Sequence, residues 1–253
     1  MLGNVPAFLI GWLLGAALGG LGLVWLMRRS GYRVREIGIV FGLLTLAIGV
    51  GSKLLYLVES WPAWWSGEQP FPGAILSPHM RIPGGILLAV LVGPCIARAI
   101  GVGFLAYADV VTPAAGLLIA GIRLGCYLKG CCFGVRTAMP WAVRFPPGSD
   151  AFDWQVGAGI IHRGAAWSEP VHALQLYFGL VGVALFTFLA FAQRCRHVDG
   201  EILLLSAVGY FWSTWLLEFL RALPHDLTQS LSLVAAVAST TWLVAARRVK
   251  ATQ

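Results

Sequence analysis

Residues 120–134, AGIRLGCYLKGCCFG, combine an apolar helix with residue types that bind anions or act as nucleophiles. They include two cations, Arg123 and Lys129, together with several cysteines and glycines. Cations at the end of a membrane helix are costly unless an anion meets them, so they are functional-site candidates. The anion could be a carboxylate of the chain or the phosphate of a lipid. Alternatively, the basic side chains only extend to the headgroups.

Two further charged residues are expected at the same membrane boundary. Glu218 and Arg221 are three apart on one predicted helix and share a face. We expect Arg123, Lys129 and Arg221 to converge on an outward-facing pocket, with Glu218 as the counter-charge. Such a cluster suits a lipid phosphodiester, whose oxygens arginine binds in a bidentate fork. The alternative is an Arg123–Glu218 ion pair that only joins two helices.

His172 and Gln175 begin the fifth predicted helix at the same face. Histidine is the side chain most often used as a general base. Such a residue is, however, more commonly an interfacial anchor or a helix-end hydrogen bonder. Both interpretations of His172 stay open from the sequence.

The cysteines of this stretch suggest a metal or redox chemistry, but their spacing argues against both. Cys126, Cys131 and Cys132 lack the paired spacing of a zinc site and the C-x-x-C of thiol oxidoreductases. We therefore expect no metal. Cys126 is interpreted as a small packing residue. Cys131 or Cys132 could instead be a nucleophile activated by the positive surroundings.

The composition indicates whether the chain lies in water or in a membrane. Of 253 residues, 58% are hydrophobic and 11% are charged, and the mean hydropathy is +0.78. A soluble domain carries roughly 25% charged residues. The chain is therefore predicted to be an integral membrane protein. Its net charge of +7 does not indicate nucleic-acid binding, because the basic residues form short clusters between apolar runs.

The fold class predicted is an all-α integral membrane protein with about seven transmembrane helices and a small extracytoplasmic cap. A spanning helix needs about 20 mostly apolar residues. The predicted spans are 6–27, 37–58, 84–101, 108–128, 171–193, 202–220 and 227–246. We expect residues 1–253 to form a single transmembrane domain, with 130–170 as the cap within it. A short strand is expected over 141–145.

Lysine and arginine in the loops predict the orientation. The larger set follows the first, third, fifth and seventh spans: Arg28, Arg29, Arg33, Arg35, Arg98, Arg194, Arg196, Arg247, Arg248 and Lys250. That side should be cytoplasmic. The N-terminus then faces outward and the C-terminus faces the cytoplasm.

The stretch RLGCYLKGCCFG resembles the signature of the bacterial prolipoprotein diacylglyceryl transferase family, G-R-L/I-G-N-F-x-N-G-E-x-x-G-R. Arg123 matches the signature arginine, and Gly134 matches its last glycine. Further resembling segments keep the family order: GSKLLYL at 51–57, Gly84-Gly85, ADVVTP at 108–113, PWAVRFP at 140–146, HALQLY at 172–177, Tyr210 with Glu218 and Arg221, and QSLS at 229–232.

The departures from the family pattern fall on the pocket rather than on the scaffold. Pro83 stands where the family has a histidine, and Thr214 where it has an arginine. The two signature asparagines are Cys126 and Lys129, and the signature glutamate is Cys131.

The resemblance implies transfer of a diacylglyceryl group from phosphatidylglycerol to the lipobox cysteine thiol of prolipoproteins. Arg123 would bind the phosphate, with Arg221 assisting, Glu218 orienting them and His172 as a candidate base. The residues expected to bind substrate are Lys129, Gly84, Gly85, Gly134, Tyr210, Cys126, Cys131 and Gln175.

The expected partners are phosphatidylglycerol or a similar anionic phospholipid, and a prolipoprotein. The protein is expected to be a monomer in the bacterial cytoplasmic membrane, without cofactor or nucleic acid. Two alternatives stay open. One is a relative that transfers another lipid or headgroup moiety to a non-protein acceptor. The other is a non-catalytic lipid-binding membrane protein.

Overall fold

The computed structural model describes residues 4–67, 82–223 and 226–251. Within this part the chain is helical, with isolated β-bridges and no strand. The all-α prediction is confirmed there. The prediction of a strand over 141–145 is wrong. Within that range only Val143 forms a bridge, and its partner is Val171. Residues 68–81, which lie between the second and third predicted spans, are outside the described residues.

The described helices are named in chain order. They are α1 (Asn4–Arg29), α2 (Val34–Glu59), α3 (Trp61–Trp65), α4 (Ile82–Ala99), α5 (Phe104–Val111), α6 (Ala114–Lys129), α7 (Asp150–Gly157), α8 (Leu174–Ala192), α9 (Glu201–Glu218) and α10 (Asp226–Ala251). A 3-10 turn, Gln193–Cys195, follows α8.

Several of these helices are long and apolar enough to cross a bilayer. Among the described residues there are four such stretches: Leu9–Arg29, Val34–Glu59, Leu174–Cys195 and Thr228–Arg248. A fifth results if Gly84–Ala99 and Phe104–Val111, bent by 114°, form one span. The chain is thus an all-helical membrane protein. Helices α6 and α9, also predicted to span, have 16 and 18 residues, which is short for a bilayer.

The helix predicted over 108–128 is divided in the structure. Helix α5 ends at Val111, and α6 begins at Ala114. Pro113 lies between them; proline has no N–H, and its ring clashes with the carbonyl of the preceding turn. The sequence-based boundary was wrong here because hydropathy continues through this proline although the hydrogen-bond ladder does not. Pro94, in contrast, lies inside α4.

The chain divides into two compact units, Met1–Leu26 with Asp109–Gln253, and Met27–Ala108. In the second unit α2 packs on α4 through glycines. A Cβ added at Gly84 would lie 2.3 Å from the Gly51 carbonyl oxygen, and one at Gly85 would lie 2.4 Å from Ser52 Oγ. Only glycine permits this approach. The single-domain organisation stays a prediction.

In the first unit, glycines bring α1 directly against α6. A Cβ at Gly11 would lie 2.3 Å from the Cα of Gly125, and a Cβ at Gly121 would lie 2.4 Å from the Cα of Gly15. Helix interfaces in membranes favour such small residues, because close packing replaces the hydrophobic driving force. The other side of α6 packs on α8, where a Cβ at Gly182 would lie 2.4 Å from the Gly116 carbonyl oxygen.

Buried carboxylates hold α9 in place within the same unit. Asp109 is fully buried and accepts hydrogen bonds from the backbone N–H groups of Gly200 (2.8 Å) and Leu203 (3.0 Å). Glu201, at the first position of α9, accepts from Arg247 Nε of α10 at 2.8 Å. The aspartate of the ADVVTP segment therefore fixes the start of the helix that carries Glu218.

The 130–170 segment packs around a small hydrophobic core to which Val171, just after the segment, also belongs. Phe133, Phe145, Ala151 and Val171 are buried together, with Trp154 packed against them. Helix α7 begins within this segment, where the Ser149 side chain accepts a hydrogen bond from the Phe152 N–H. The segment is thus folded against the end of α6 rather than extended.

Candidate active site

The end of α6 brings two of the cysteines together. Gly130 has a left-handed backbone (φ 72°), and its N–H donates to the Tyr127 carbonyl at 3.0 Å. The Cys131 N–H donates to the Cys126 carbonyl at 3.1 Å. This pair of bonds is the Schellman motif, which commonly places the side chains of its first and last residues in contact. Here those residues are Cys126 and Cys131.

Cys132 completes a three-thiol cluster. Its φ is +57°, and among the described residues it is the only non-glycine with a positive φ. Such a conformation is uncommon for a residue with a side chain, and strain of this kind concentrates at functional sites. It turns Cys132 back toward its neighbours, so that the Sγ atoms of Cys126, Cys131 and Cys132 all lie within 4.8 Å of one another.

The residues after the cluster connect it to two other parts of the site. The Gly134 N–H donates to the His172 carbonyl at 3.0 Å, and the Val135 N–H donates to the Leu220 carbonyl at 2.8 Å. Gly134 and Arg221 form an antiparallel bridge. A Cβ at Gly134 would lie 2.7 Å from both the Cβ of His172 and the Leu220 oxygen. Glycine is therefore required for this three-way contact.

Glu218 pairs with Arg221, its neighbour one turn along. The Arg221 Nε donates to a Glu218 carboxylate oxygen at 2.7 Å, and the two side chains are 10% and 2% exposed. The sequence left open an Arg123–Glu218 ion pair, and the described residues do not form it. Glu218 balances Arg221 instead.

Arg123 lies half-buried on α6, with its guanidinium stacked on an aromatic ring of α8. Its Cζ is 4.2 Å from the centroid of Phe178, a buried ring. Within the described part of the chain, Arg123 has no carboxylate at ion-pair distance. Stacking fixes the plane of a guanidinium while leaving its N–H edges available.

Arg123 and Arg221 affect the pKa of the Cys132 thiol. The pKa of the Cys132 thiol is lowered, because Cys126 and Cys131 share hydrogen bonds with it and the guanidinium groups of Arg123 and Arg221 favour the thiolate; burial opposes this. Arg123 and Arg221 therefore both lie close enough to Cys132 to favour its thiolate. Their convergence with Lys129 on a phosphate pocket stays a prediction.

Two polar residues at the start of α8, Gln175 and His172, lie near the cysteines. Gln175 is fully buried and donates from Nε2 to the Cys131 carbonyl at 2.6 Å. His172 Nδ1 lies 3.0 Å from the Tyr177 hydroxyl. Gln175 thus contacts the cysteine cluster, whereas the His172 backbone contacts Gly134, two residues after Cys132. One nitrogen of the His172 imidazole faces the Tyr177 hydroxyl.

The remaining predicted residues are placed more loosely. Lys129 pairs with Asp150 of α7 at 3.2 Å, in a partly exposed ion pair. Tyr210 lies on α9 with its ring against Phe211 at 5.5 Å between centroids. Gly84 and Gly85 belong to the other compact unit, where their packing against α2 already requires glycine.

Phe178 and Asp150 were not predicted from the sequence. Phe178 lies three residues after Gln175, so helical spacing places both on one face. That spacing, with an arginine expected nearby, was a usable signal. Asp150 is 21 residues from Lys129 in the chain and meets it only because α7 folds back; no local pattern indicates this.

The described residues form a helical membrane protein in which three cysteines at the end of α6 lie near Arg123 and Arg221. The model of the family described as prolipoprotein diacylglyceryl transferase matches residues 4–246. The chain belongs to that family.

Curated relatives agree with this assignment. The chain is similar to the phosphatidylglycerol–prolipoprotein diacylglyceryl transferase of Bordetella parapertussis, with 27% identity over 189 residues, 74% of this chain and 66% of that protein. The Leifsonia xyli protein of the same name is 28% identical over 216 residues, 80% and 62% of the two chains. That of Geobacter sulfurreducens is 28% identical over 196 residues, 76% and 68%. The chain thus spans about two thirds of the length of these relatives. In the Bordetella parapertussis and Leifsonia xyli proteins the matched share is slightly below two thirds.

Proposed function

We propose that this protein transfers a diacylglyceryl group from phosphatidylglycerol to a thiol, with the lipobox cysteine of prolipoproteins as the acceptor. Family membership supports the reaction class. The observation that carries the proposal to this chain is Arg123, which is stacked on Phe178 and has no carboxylate partner among the described residues. Arg221, in contrast, is balanced by Glu218. Arg123 therefore has its charge available for a lipid phosphate.

Arg123 would bind two phosphate oxygens through its guanidinium edge. The Phe178 ring at 4.2 Å covers one face of the guanidinium and limits its rotation. Because the site is partly buried, water competes less well and each charged hydrogen bond is stronger than at a surface. Charge develops on the departing glycerol phosphate as the bond between its phosphate oxygen and the diacylglyceryl carbon breaks. Preorganised cations stabilise that charge more than they stabilise the ground state, which is the main catalytic effect expected here.

Arg221 and Lys129 have supporting roles in this proposal. Glu218 holds Arg221 at 2.7 Å and thereby orients it. Lys129 lies at the rim with Asp150. His172 is the candidate base. The residues proposed to contact the substrate are Cys126, Cys131, Gln175, Gly134 and Tyr210.

Exposed apolar side chains next to the site are suited to lipid access. Leu124 and Leu128 of α6 are 38% and 53% exposed, and Leu180 of α8 is 68% exposed. In a bilayer such side chains would face acyl chains. A phospholipid could therefore approach Arg123 from the membrane, while the acceptor arrives from the aqueous side.

The arrangement in the membrane belongs to the same proposal. The chain crosses the cytoplasmic membrane of a bacterium seven times as a monomer, with the N-terminus outside and the C-terminus in the cytoplasm. The 130–170 segment forms an extracytoplasmic cap. Excess arginine on the cytoplasmic loops supports this orientation.

The test uses purified full-length protein in vesicles of phosphatidylglycerol with a lipobox peptide. Thioether formation and release of glycerol phosphate are both measured. Arg123→Ala should abolish both, and Arg123→Lys should restore only part, because lysine keeps the charge but not the fork. Arg163→Ala, an exposed arginine of the 130–170 segment, is the control and should keep full activity.

The same assay distinguishes the alternatives. Lipid turnover without peptide modification indicates a non-protein acceptor. Lipid binding without turnover indicates a binding protein. Unchanged activity of Arg123→Ala would overturn the proposed site.

A further inference from the structure

We propose that Cys126, Cys131 and Cys132 bind a zinc ion through three thiolates and leave a fourth position open for the acceptor thiol. The metal site stands on the geometry of the cluster. The role of the fourth position rests on the proposed function, since it assigns the acceptor to that reaction.

The distances fit the ion. Three Sγ atoms lie within 4.8 Å of one another. Zinc binds cysteine sulfur at about 2.3 Å in a tetrahedron, which corresponds to sulfur–sulfur separations of about 3.8 Å. Small side-chain rotations bring the three sulfurs to that spacing. Three protein ligands with one open position is the arrangement of catalytic zinc sites.

The backbone around the cysteines is arranged so that all three side chains meet. The Schellman motif pairs Cys126 with Cys131, and the left-handed φ of Cys132 directs the next side chain to the same point. The expectation of no metal came from the spacing of the cysteines along the chain. That argument does not apply here, because the turn at Gly130 and the strained residue bring unequally spaced cysteines together.

The charges favour a divalent ion. Three thiolates and a divalent cation carry one net negative charge, whereas three thiolates and a monovalent ion carry two. A divalent ion therefore leaves less uncompensated charge in this partly buried site than a monovalent ion would. Thiolate ligands in a tetrahedral arrangement select zinc among the common divalent ions.

Gln175 orients one of the three cysteines through a hydrogen bond to its backbone. It is fully buried, and its Nε2 holds the Cys131 carbonyl at 2.6 Å. Its Oε1 is also buried and accepts no hydrogen bond from the residues that the structure describes. Metal sites commonly have such outer partners that orient the ligands. The unused acceptor can take a hydrogen bond from a water or amide that enters with the fourth ligand.

Zinc would supply the activation that the acceptor thiol needs. A thiol that coordinates zinc is deprotonated outright. The bound thiolate attacks the carbon of the diacylglyceryl group that is esterified to phosphate, and the sulfur–carbon bond forms as the carbon–oxygen bond breaks. Both electrons of the broken bond leave with the phosphate oxygen. The products are a neutral thioether, which dissociates from zinc, and glycerol phosphate; the thiol proton passes to solvent.

The first experiment measures metal binding without lipid. Purified full-length protein, reduced and then loaded with zinc alone, should hold about one ion per chain, as expected for one three-thiolate site. Loading with Co²⁺ should give the intense thiolate-to-metal absorption of a tetrahedral site. Cys126→Ser, Cys131→Ser and Cys132→Ser should each lose the tight ion. Cys95→Ser with Cys195→Ser, which alters two exposed cysteines, is the matched control and should keep it.

A second experiment uses the unaltered protein and does not depend on variants folding. Alkylation of Cys131 and Cys132, followed residue by residue by mass spectrometry, should slow on the order of 100-fold when zinc is added and recover with a chelator. Cys95 and Cys195 serve as internal references and should not change. Equal labelling with and without zinc overturns the site. A disulfide among the three cysteines of the zinc-treated protein also overturns it.

A third experiment separates this inference from the proposed function. Adding a lipobox peptide to the cobalt-loaded protein should change the absorption if its thiol takes the fourth position; no change overturns that role. Removal of zinc should lower thioether formation on the order of 100-fold, comparable to the loss of proton removal in other enzymes. Transfer that persists without metal overturns the catalytic role of zinc and leaves the transferase proposal standing. Tight zinc binding without any transfer would overturn the transferase proposal and leave the zinc site standing.

Discussion

The carboxylate of Glu218 and the guanidinium of Arg221 lie 2.7 Å apart at the end of α9, and both side chains are nearly buried. Each buried charge is tolerated because the other is present. Arg221 is therefore oriented but electrically balanced. Arg123, on α6, is stacked on Phe178 instead, so the two arginines are not equivalent.

Replacing Glu218 by Gln should destabilise the protein by about 3 kcal/mol or more, because it leaves Arg221 as an uncompensated buried charge. Thermal unfolding in detergent, followed by circular dichroism, measures the effect. Asp153→Asn, at an exposed position in the first turn of α7, is the control and should cost less than about 1 kcal/mol. Equal losses for both variants would show that burial of the pair is not the cause.

Gly134→Ala should disturb the contact between the cysteine cluster, His172 and Leu220. The new Cβ would lie 2.7 Å from the His172 Cβ and from the Leu220 oxygen, and such overpacking costs about 1–3 kcal/mol. Transfer activity should fall together with stability. In contrast, Gly42→Ala, at a position in α2 with open space around it, should stabilise the helix by about 0.5–1 kcal/mol. A Gly134→Ala protein as stable as the original would contradict this packing.

Phe178→Leu should reduce transfer without unfolding the protein. The ring lies 4.2 Å from the Arg123 guanidinium, and a desolvated cation–π contact is worth about 1–2 kcal/mol. The value of kcat/KM for phosphatidylglycerol should therefore fall by about tenfold. Phe188→Leu, which alters a 57% exposed ring of the same helix, is the matched control. If both variants keep full activity, stacking does not position Arg123.

Much of the site was predictable because charge and helix ends are local properties of a sequence. Glu218 and Arg221 share a face by their three-residue spacing, and the structure pairs them. Arg123 was identified because a cation within an apolar helix requires an explanation. The glycines of α1 and α6 were visible in the sequence, but not which of them would meet.

What the sequence could not provide depends on backbone geometry beyond regular helices. The three-thiol cluster requires the left-handed residues Gly130 and Cys132, and a positive φ at a cysteine is not encoded in any spacing rule. The break at Pro113 was missed because the hydropathy signal continues across it. Long-range pairs such as Lys129 with Asp150 need the folded 130–170 segment.

The Lys129–Asp150 pair should influence lipid binding rather than stability. Its members lie 3.2 Å apart, but their side chains are 33% and 41% exposed, and such pairs contribute about 0–1 kcal/mol. Asp150→Asn leaves the Lys129 charge without its counter-ion, so KM for phosphatidylglycerol should fall a few-fold at low ionic strength. Lys129→Ala should raise it. Both effects should fade near 1 M salt, where the screening length is about 3 Å. Kinetics in vesicles at two salt concentrations, with Asp153→Asn as the same-helix control, measure this. A change in the same direction for both variants would mean that Lys129 does not attract the headgroup.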